Sequence, residues 1–256
     1  MVTAAAVCGY FFMREYIVAQ EEVSEYTNIQ NEHTTMTTLP FQEPESEFNQ
    51  PEDEEPVEII LPYVEADFEA LLMINPDTVG WIAIPDTVIS YPVVQATDNT
   101  KYLGISFEGG SSKAGTLFAD KNNNMRKLDS NTIIYGHNMG AGRDDMFATL
   151  LLYKDYDYYM AHQYIQFDTI YEDHGFWKVF AVIYLDTRNT DFAYQQINFP
   201  CGYTFMEWVR QAKGLSIHDT GTVVAPSGRV LTLSTCDRSS YGGNGRLIIM
   251  AVRVNG

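Results

Sequence analysis

The chain has 256 residues, 45% of them hydrophobic, and a formal net charge of −18. This length suits one domain of ordinary size with additional segments, or two small domains, and the apolar content is sufficient for a core. Residues 20–58 hold eleven Glu, one Asp and no Lys or Arg, which leaves a charge of −6 for the remainder. Nucleic acid is not expected as a partner, because binding to phosphates depends on clustered Lys and Arg.

The N-terminal segment is apolar, and an acidic segment follows it. Residues 2–13 are apolar and are ended by Arg14 and Glu15. This run is shorter than the roughly 20 residues that span a bilayer. It is therefore either a frayed helix or the end of a membrane anchor whose beginning is missing. The acidic segment has few large apolar residues, which predicts a disordered, extended linker and favours the anchor.

A series of short β runs dominates the remaining chain. Residues 64–74 show the apolar spacing of a helix. Pro, Gly, Asn and Asp then separate the β runs, a pattern that favours an antiparallel sandwich or barrel. The expected strands are 80–84, 88–95, 102–107, 115–119, 132–135, 164–169, 175–185, 229–235 and 246–254, and two further helices are expected at 143–153 and 203–213. We therefore divide the chain into a partial membrane-anchor segment at 1–16, an acidic disordered linker at 17–61 and one folded domain at 62–256.

The stretch from 231 to 250 carries the strongest chemical signal. A run rich in β-forming residues ends on Cys236, a Gly-rich segment follows, and a second apolar run begins at Arg246. Two such runs predict a pair of strands joined by a loop, which would bring Cys236 and Arg246 close together. A thiol beside a fixed cation loses its proton more easily, and the thiolate is the nucleophile. The pair predicts a cysteine enzyme in which Arg246 either tunes the thiol or receives an oxyanion, whereas a lone Cys is most often a small buried hydrophobe.

A third residue strengthens the catalytic interpretation. The apolar strand at 132–135 leads into Gly136, and His137 follows where the strand ends. Cysteine chemistry needs an acid for the departing amine and a base for the next nucleophile, and one His serves both needs near neutral pH. The other cysteines, Cys8 and Cys201, form no CxxC motif with any partner, and we expect Cys201 and Cys236 to be free thiols.

The combination of NTIIYGHNM, TLSTC and an Arg ten residues after that Cys resembles the sortases of class B. The stretches DTVGWIAIPDTVISYPVVQATDNTKYL, AGTLFAD and MFATL extend the resemblance over residues 63–254. It implies a mainly β fold with a few helices: a closed barrel of about eight strands with an N-terminal helix and a helix before the catalytic strand. It also implies a cysteine transpeptidase that uses no cofactor and no catalytic metal.

The resemblance assigns roles to individual residues. Cys236 is expected to be the nucleophile, His137 the general acid and base, and Arg246 the ligand of an oxyanion or a substrate carbonyl. The residues expected at the substrate groove are Asn99, Leu103, Tyr135, Ser234 and Asp237. Ser234 shares a strand face with Cys236 by the period of two, and Asp237 stands where it can hold Arg246. A plain scaffold role stays open for Tyr135, Ser234 and Asp237, and residues 186–200 fall where this class forms a groove wall.

The resemblance also implies a reaction and a location. The enzyme would cleave a Thr–Gly or Thr–Asn bond in a C-terminal sorting signal through a Cys thioester. It would then transfer the surface protein to an amine of a peptidoglycan precursor or cross-bridge. It would be a monomer in a Gram-positive cell membrane, single-pass through its N-terminal anchor, with an extracellular catalytic domain. Two alternatives stay open: a cysteine hydrolase of the same fold, and a surface β-domain that binds a partner while these residues are inert.

Overall fold

The computed structural model describes residues 2–42, 58–140, 142–236 and 242–254. Its strands are β1 Thr34–Gln42, β2 Glu58–Ala66, β3 Thr78–Ala83, β4 Ser90–Val94, β5 Leu117–Ala119, β6 Asn131–Tyr135, β7 Tyr164–Thr169, β8 Phe176–Asp186, β9 Val230–Cys236 and β10 Gly245–Arg253. Its α-helices are α1 Val2–His33, α2 Phe68–Ile74, α3 Tyr156–Ala161 and α4 Gly202–Leu215. Short 3₁₀-helices cover Lys101–Leu103, Ala148–Lys154 and Gly242–Asn244.

Eight strands close into a barrel in the order β10-β8-β7-β3-β4-β5-β6-β9. The predicted mainly β fold is thereby confirmed, including the N-terminal helix and a helix, α4, before β9. The pattern of short β runs favoured an antiparallel arrangement, but the barrel is mixed, because β4 pairs with β5, and β6 with β9, in parallel. The parallel pair β6–β9 makes these two strands end at the same rim of the barrel, which decides where the functional residues meet.

The barrel interior is filled by large side chains that alternate with outward-facing ones along each strand. Trp81, Trp177 and Phe167 are fully buried there. A second apolar cluster covers the outer face of β8 and β10, where Phe205 and Trp208 of α4, three residues apart on one helix face, are buried. Alternate residues of β10 belong to the two clusters, so β10 is buried on both faces while it pairs with β9.

Three elements differ from the predicted ones for local reasons. The helix expected at 64–74 begins only at Phe68, because Asp67 caps it and the residues before it pair with β1. The run at 102–107 begins inside the 3₁₀-helix Lys101–Leu103 and forms no strand. The helix expected at 143–153 is a 3₁₀-helix from Ala148, since Met146 has a φ of 54°, outside the helical region.

The acidic segment also differs from expectation where the structure describes it. Residues 17–33 continue α1, and residues 34–42 form β1, so this part is not the expected disordered linker. Tyr26 and Ile29, three residues apart on one face of α1, are buried against the barrel. Phe41 of β1 packs on Phe176 with a ring separation of 5.3 Å. A few well-spaced apolar side chains are therefore enough to dock a segment of strongly acidic composition.

The expected single-pass membrane anchor is contradicted. Among the residues that the structure describes, no helix has the length and apolar content needed to cross a membrane. Helix α1 has 32 residues, but Arg14, Glu15, Glu21 and Glu22 lie within it after the apolar run. The helix continues through these charged residues, but its apolar run ends at Met13.

Candidate active site

Cys236 and Arg246 lie directly opposite each other on β9 and β10. The predicted proximity of these two residues is confirmed. The Arg246 Nη1 group donates to the carbonyl oxygens of Gly243 and Gly245, each at 2.9 Å. Because both bonds use one nitrogen, Nε and Nη2 are not needed to hold the side chain in place. Nη1 therefore fixes the guanidinium at the rim through bonds to two described carbonyl groups.

His137 reaches the same rim from the other side of β9. Tyr135 pairs with Ser234 in the parallel β6–β9 ladder, and the Gly136 N–H donates to the Ser234 carbonyl at 3.2 Å. Two residues further along each strand, this register places His137 level with Cys236. The Asn138 side-chain amide donates to the Cys236 carbonyl at 2.9 Å and ties the two strand ends together. Cys236 therefore lies between the strand end that carries His137 and the strand that carries Arg246.

The imidazole of His137 has a defined orientation. Its Nε2 lies 2.9 Å from the Leu103 carbonyl oxygen. A carbonyl oxygen only accepts, so Nε2 carries the proton in this contact, and Nδ1 is the acceptor nitrogen of the neutral ring. The Phe147 N–H donates to the His137 carbonyl at 3.0 Å and fixes the backbone. His137 is half-buried, so it is held by protein contacts on one side and open to a substrate on the other.

Gly136 is required for this placement by close packing. A Cβ at Gly136 would lie 2.4 Å from a Leu117 methyl carbon and 2.6 Å from the Phe147 ring. Only glycine therefore lets the end of β6 press against the core here. The close packing of Gly136 on Leu117 and Phe147 thereby sets the position of the next residue, His137, at the rim.

Two predicted groove residues are joined through a carboxylate that the sequence analysis missed. Asn99 Nδ2 and the Tyr135 hydroxyl donate to the same oxygen of Asp120, at 2.9 and 3.0 Å. The Gln195 side-chain amide donates to the Tyr135 hydroxyl at 2.9 Å. Burial and then the charge of Asp120 raise the pKa of Tyr135 above its ordinary value, so its phenol is neutral.

The remaining predicted groove residues are placed differently. Leu103 is 42% exposed, and its carbonyl meets His137. Ser234 is only 3% exposed, and its backbone makes the bond to Gly136, so it lies in the barrel wall. Asp237 falls outside the described residues.

Three further residues of the rim have sequence signals that were not used. Asp120 directly follows the apolar strand β5, at the end that lies next to Asn99 and Tyr135. Asn138 is part of the YGHNM motif, next to His137. Gln195 lies within residues 186–200, the segment expected as a groove wall. Each becomes recognisable only when the partner it bonds is known.

Cys201 and Cys236 are free thiols, as predicted. Cys201 is exposed just before α4, and Cys236 is half-buried at the rim. Since neither is oxidised, the Cys236 sulfur is available for chemistry.

Comparison with known proteins gives a consistent result. The family model of the Sortase domain matches residues 82–254. Sortase B of Listeria monocytogenes is 37% identical over 186 residues, which cover 73% of each protein. Sortase B of Staphylococcus aureus is 28% identical over 251 residues, 98% of this chain and 92% of that relative. The solved Staphylococcus aureus sortase B–substrate complex superposes with a TM-score of 0.66 at 31% identity, covering 73% of this chain and 83% of the other.

The matched range runs from the last residues of β3 through β10 and contains all the rim residues described above. The family match therefore includes the rim at which Cys236, His137 and Arg246 meet. The chain belongs to the sortase family, in class B, and is a sortase-type transpeptidase.

Proposed function

We propose that Cys236, His137 and Arg246 carry out a two-step transpeptidation on a C-terminal sorting signal. The single observation that carries this assignment is the register at the rim. Cys236 is paired with Arg246 on one side and lies level with His137 on the other. A nucleophile, an acid–base group and a fixed cation around one point are what acyl transfer through a thioester requires.

In the first step the proton of the Cys236 thiol passes to His137, and the resulting thiolate attacks the carbonyl carbon of a Thr–Gly or Thr–Asn bond. The carbonyl electron pair moves to oxygen, and Arg246 donates hydrogen bonds to that negative charge. The tetrahedral intermediate collapses as His137 gives a proton to the departing amine. A thioester between Cys236 and the Thr carbonyl remains, and the C-terminal fragment leaves.

In the second step an amine of a peptidoglycan precursor or cross-bridge attacks the thioester. His137 accepts a proton from that amine. Arg246 again donates hydrogen bonds to the negatively charged oxygen of the tetrahedral intermediate. The new amide forms, and the Cys236 thiolate departs with its electron pair. The products are an anchored surface protein and an enzyme ready for another cycle.

The groove for the sorting signal would run between Leu103 and the Asp120 network. Leu103 offers an exposed apolar side chain next to His137. The other side would be built from Asn99 and Tyr135, which both bond Asp120, and from Gln195, which bonds the Tyr135 hydroxyl. Apolar surface combined with a few fixed polar groups is the common composition of a binding cleft.

A panel of fluorescent sorting peptides tests the proposal. The full-length protein should cleave a peptide with a Thr–Gly or Thr–Asn bond, and a Cys236→Ala variant should not. Cys201→Ala is the matched control, since that thiol is exposed and lies away from the rim, and it should cleave like the wild type. Cleavage by Cys236→Ala would disprove the assigned nucleophile.

An added amine separates transfer from hydrolysis. With a glycine-based or diaminopimelate-containing acceptor, mass spectrometry should show a ligated product for the wild type. Release of free acid alone, at every acceptor concentration, would identify a hydrolase instead. No reaction with any peptide, together with no trapping of Cys236 by a thiol-reactive sorting peptide, would favour an inert binding domain.

A further inference from the structure

Helix α1 places a buried carboxylate behind the proposed site. We propose that Glu22 is a positioning residue: it clamps together the two loops that flank His137 and so makes α1 part of the catalytic unit. This inference rests on the proposed role of His137. It adds an element that lies more than 110 residues away in sequence from the residue that it would position.

Each carboxylate oxygen of Glu22 binds a different loop. Oε1 accepts from the Ser112 hydroxyl at 2.8 Å, the Lys113 N–H at 2.6 Å and the Ala114 N–H at 3.2 Å. Oε2 accepts from Arg143 Nη1 at 2.9 Å. The Glu22 side chain is only 7% exposed, so these four donors replace its lost hydration.

The first loop, residues 112–116, runs directly beside the imidazole. A Cβ at Gly115 would lie 3.3 Å from His137 Cδ2 and 2.4 Å from the Tyr102 carbonyl oxygen. The Thr116 N–H donates to that same carbonyl at 3.0 Å. The loop therefore contacts the ring of His137 and also the backbone next to Leu103, the residue that His137 bonds.

The second loop, described over residues 138–140 and 142–146, begins just after His137 and returns beside it. Asn138 pairs with Met146, and the next N–H, that of Phe147, bonds the His137 carbonyl. Within the loop, Arg143 forms an ion pair with Asp145 as well as with Glu22. Glu22 thus fixes the loop that sets the backbone position of His137.

Tyr26 makes a second connection from α1 to the same two loops. Its hydroxyl donates to the Gly115 carbonyl at 2.6 Å. Its ring packs edge-on against Tyr91, with centroids 5.5 Å apart. The Tyr91 hydroxyl in turn accepts from the Met146 N–H at 3.2 Å. Glu22 and Tyr26, one helical turn apart on α1, are therefore both connected to the two loops that flank His137.

The arrangement depends on a charged carboxylate. Burial would raise the pKa of Glu22, but the bonds from Arg143, Ser112 and the backbone of Ala114 and Lys113 outweigh it and lower the pKa below its ordinary value. All four partners are donors, so an amide in place of the carboxylate must turn its own N–H groups toward one of them. One of the two loops then loses its connection to α1.

A Glu22→Gln variant of the full chain tests the inference. Glu21→Gln is the matched control, because Glu21 is the neighbouring acidic residue on the same helix and is exposed. For Glu22→Gln we expect kcat for peptide cleavage to fall about 10- to 100-fold with little change in KM, since a misplaced acid–base group slows chemistry. We also expect a shift in the NMR titration curve of the His137 imidazole, assigned with a His137→Gln variant. Glu21→Gln should change neither quantity.

The NMR titration separates positioning from stability alone. A folded Glu22→Gln protein with an unchanged His137 titration and an unchanged kcat, but a lower free energy of unfolding, would overturn the inference. If Glu22→Gln does not fold, Tyr26→Phe removes only the hydroxyl that bonds Gly115, and it should shift the His137 titration as well. An unchanged titration in Tyr26→Phe would then overturn it. Because this readout needs no substrate, it decides the inference even if the proposed peptide reaction fails.

Discussion

Arg246 occupies the position on β10 directly opposite Cys236 on β9, in an antiparallel ladder that continues for six further pairs. The ladder fixes the separation of the two residues independently of the loop between them. Arg246 is also paired with Leu185 of β8, so its backbone is held on both sides. A cation placed in this way needs little reorganisation when charge develops on a nearby oxygen, which is the source of electrostatic catalysis.

The first prediction concerns the shape of this cation. Arg246→Lys keeps the charge but removes the planar fork, and a single ammonium cannot both bond the Gly243 and Gly245 carbonyls and offer a directed donor to substrate. We expect kcat/KM for peptide cleavage to fall about 10²–10³-fold, as for loss of one oxyanion donor. Arg210→Lys, on the exposed surface of α4, is the control and should have wild-type kinetics. An unchanged rate for Arg246→Lys would remove Arg246 from the mechanism.

The second prediction concerns the close approach at Gly136. Gly136→Ala places a methyl group within 2.6 Å of both Leu117 and Phe147, so the end of β6 must move. We expect a loss of about 1–3 kcal/mol in the free energy of unfolding, as for overpacking, together with a large fall in kcat because His137 moves too. Urea denaturation and peptide kinetics measure the two effects.

A helical glycine provides the control for that substitution. A Cβ at Gly214 in α4 meets nothing within 4 Å, so Gly214→Ala should leave activity unchanged and stabilise the protein by about 0.5–1 kcal/mol. If Gly136→Ala had wild-type stability, the contacts of Leu117 and Phe147 with Gly136 would not restrict the end of β6.

The third prediction concerns the groove wall. Tyr135→Phe removes the hydroxyl that joins Asp120 to Gln195 and leaves the buried carboxylate with one donor fewer. We expect a loss of about 1–3 kcal/mol of stability and a higher KM, while kcat changes less, since the wall binds peptide rather than reacting. Tyr203→Phe, 75% exposed on α4, is the control. A fall in kcat with an unchanged KM would argue against a binding role.

The sequence predicted the parts of the site that depend on local patterning. A β run ending on Cys236, a Gly-rich segment and a second run from Arg246 form a hairpin, and hairpin partners are close in sequence. The pairing of Cys236 with Arg246 was therefore predictable residue by residue. The position of His137 beside Cys236 was inferred from chemistry and resemblance, whereas its physical cause is the parallel β6–β9 pair, which joins residues about 100 positions apart.

Contacts made by isolated polar residues were not predictable. Asp120 and Glu22 carry no periodic signal, and each acquires a role only through donors that come from distant loops. The acidic composition around Glu22 favoured disorder, yet Tyr26 and Ile29 dock this part of the chain. The average composition of a segment does not reveal such docking, because burial of a few side chains on one helix face can stabilise a helix that carries many exposed charges.

The last prediction uses the pH dependence of stability at Glu22. Its pKa is lowered in the folded protein, since donors to the carboxylate outweigh the cost of burial, while in the unfolded chain it returns to about 4.5. A group with a depressed folded-state pKa contributes stability that is fully present above its unfolded pKa and is lost as pH falls through the folded one. Gln does not titrate at this position, so comparing wild type with Glu22→Gln isolates the effect.

Urea denaturation of both proteins from pH 7 to pH 3 measures it. We expect Glu22→Gln to be less stable than the wild type by on the order of 2 kcal/mol above about pH 5, because a buried set of charge-assisted bonds is weakened. The difference should begin to shrink as pH falls below about 4.5, where the unfolded wild-type chain binds a proton that the folded protein does not yet bind, and it should shrink further until the folded carboxylate is protonated too. Glu21→Gln should follow the wild type throughout. A difference that stayed constant down to pH 3 would mean that the charge of Glu22 does not hold the two loops, and that only its shape matters.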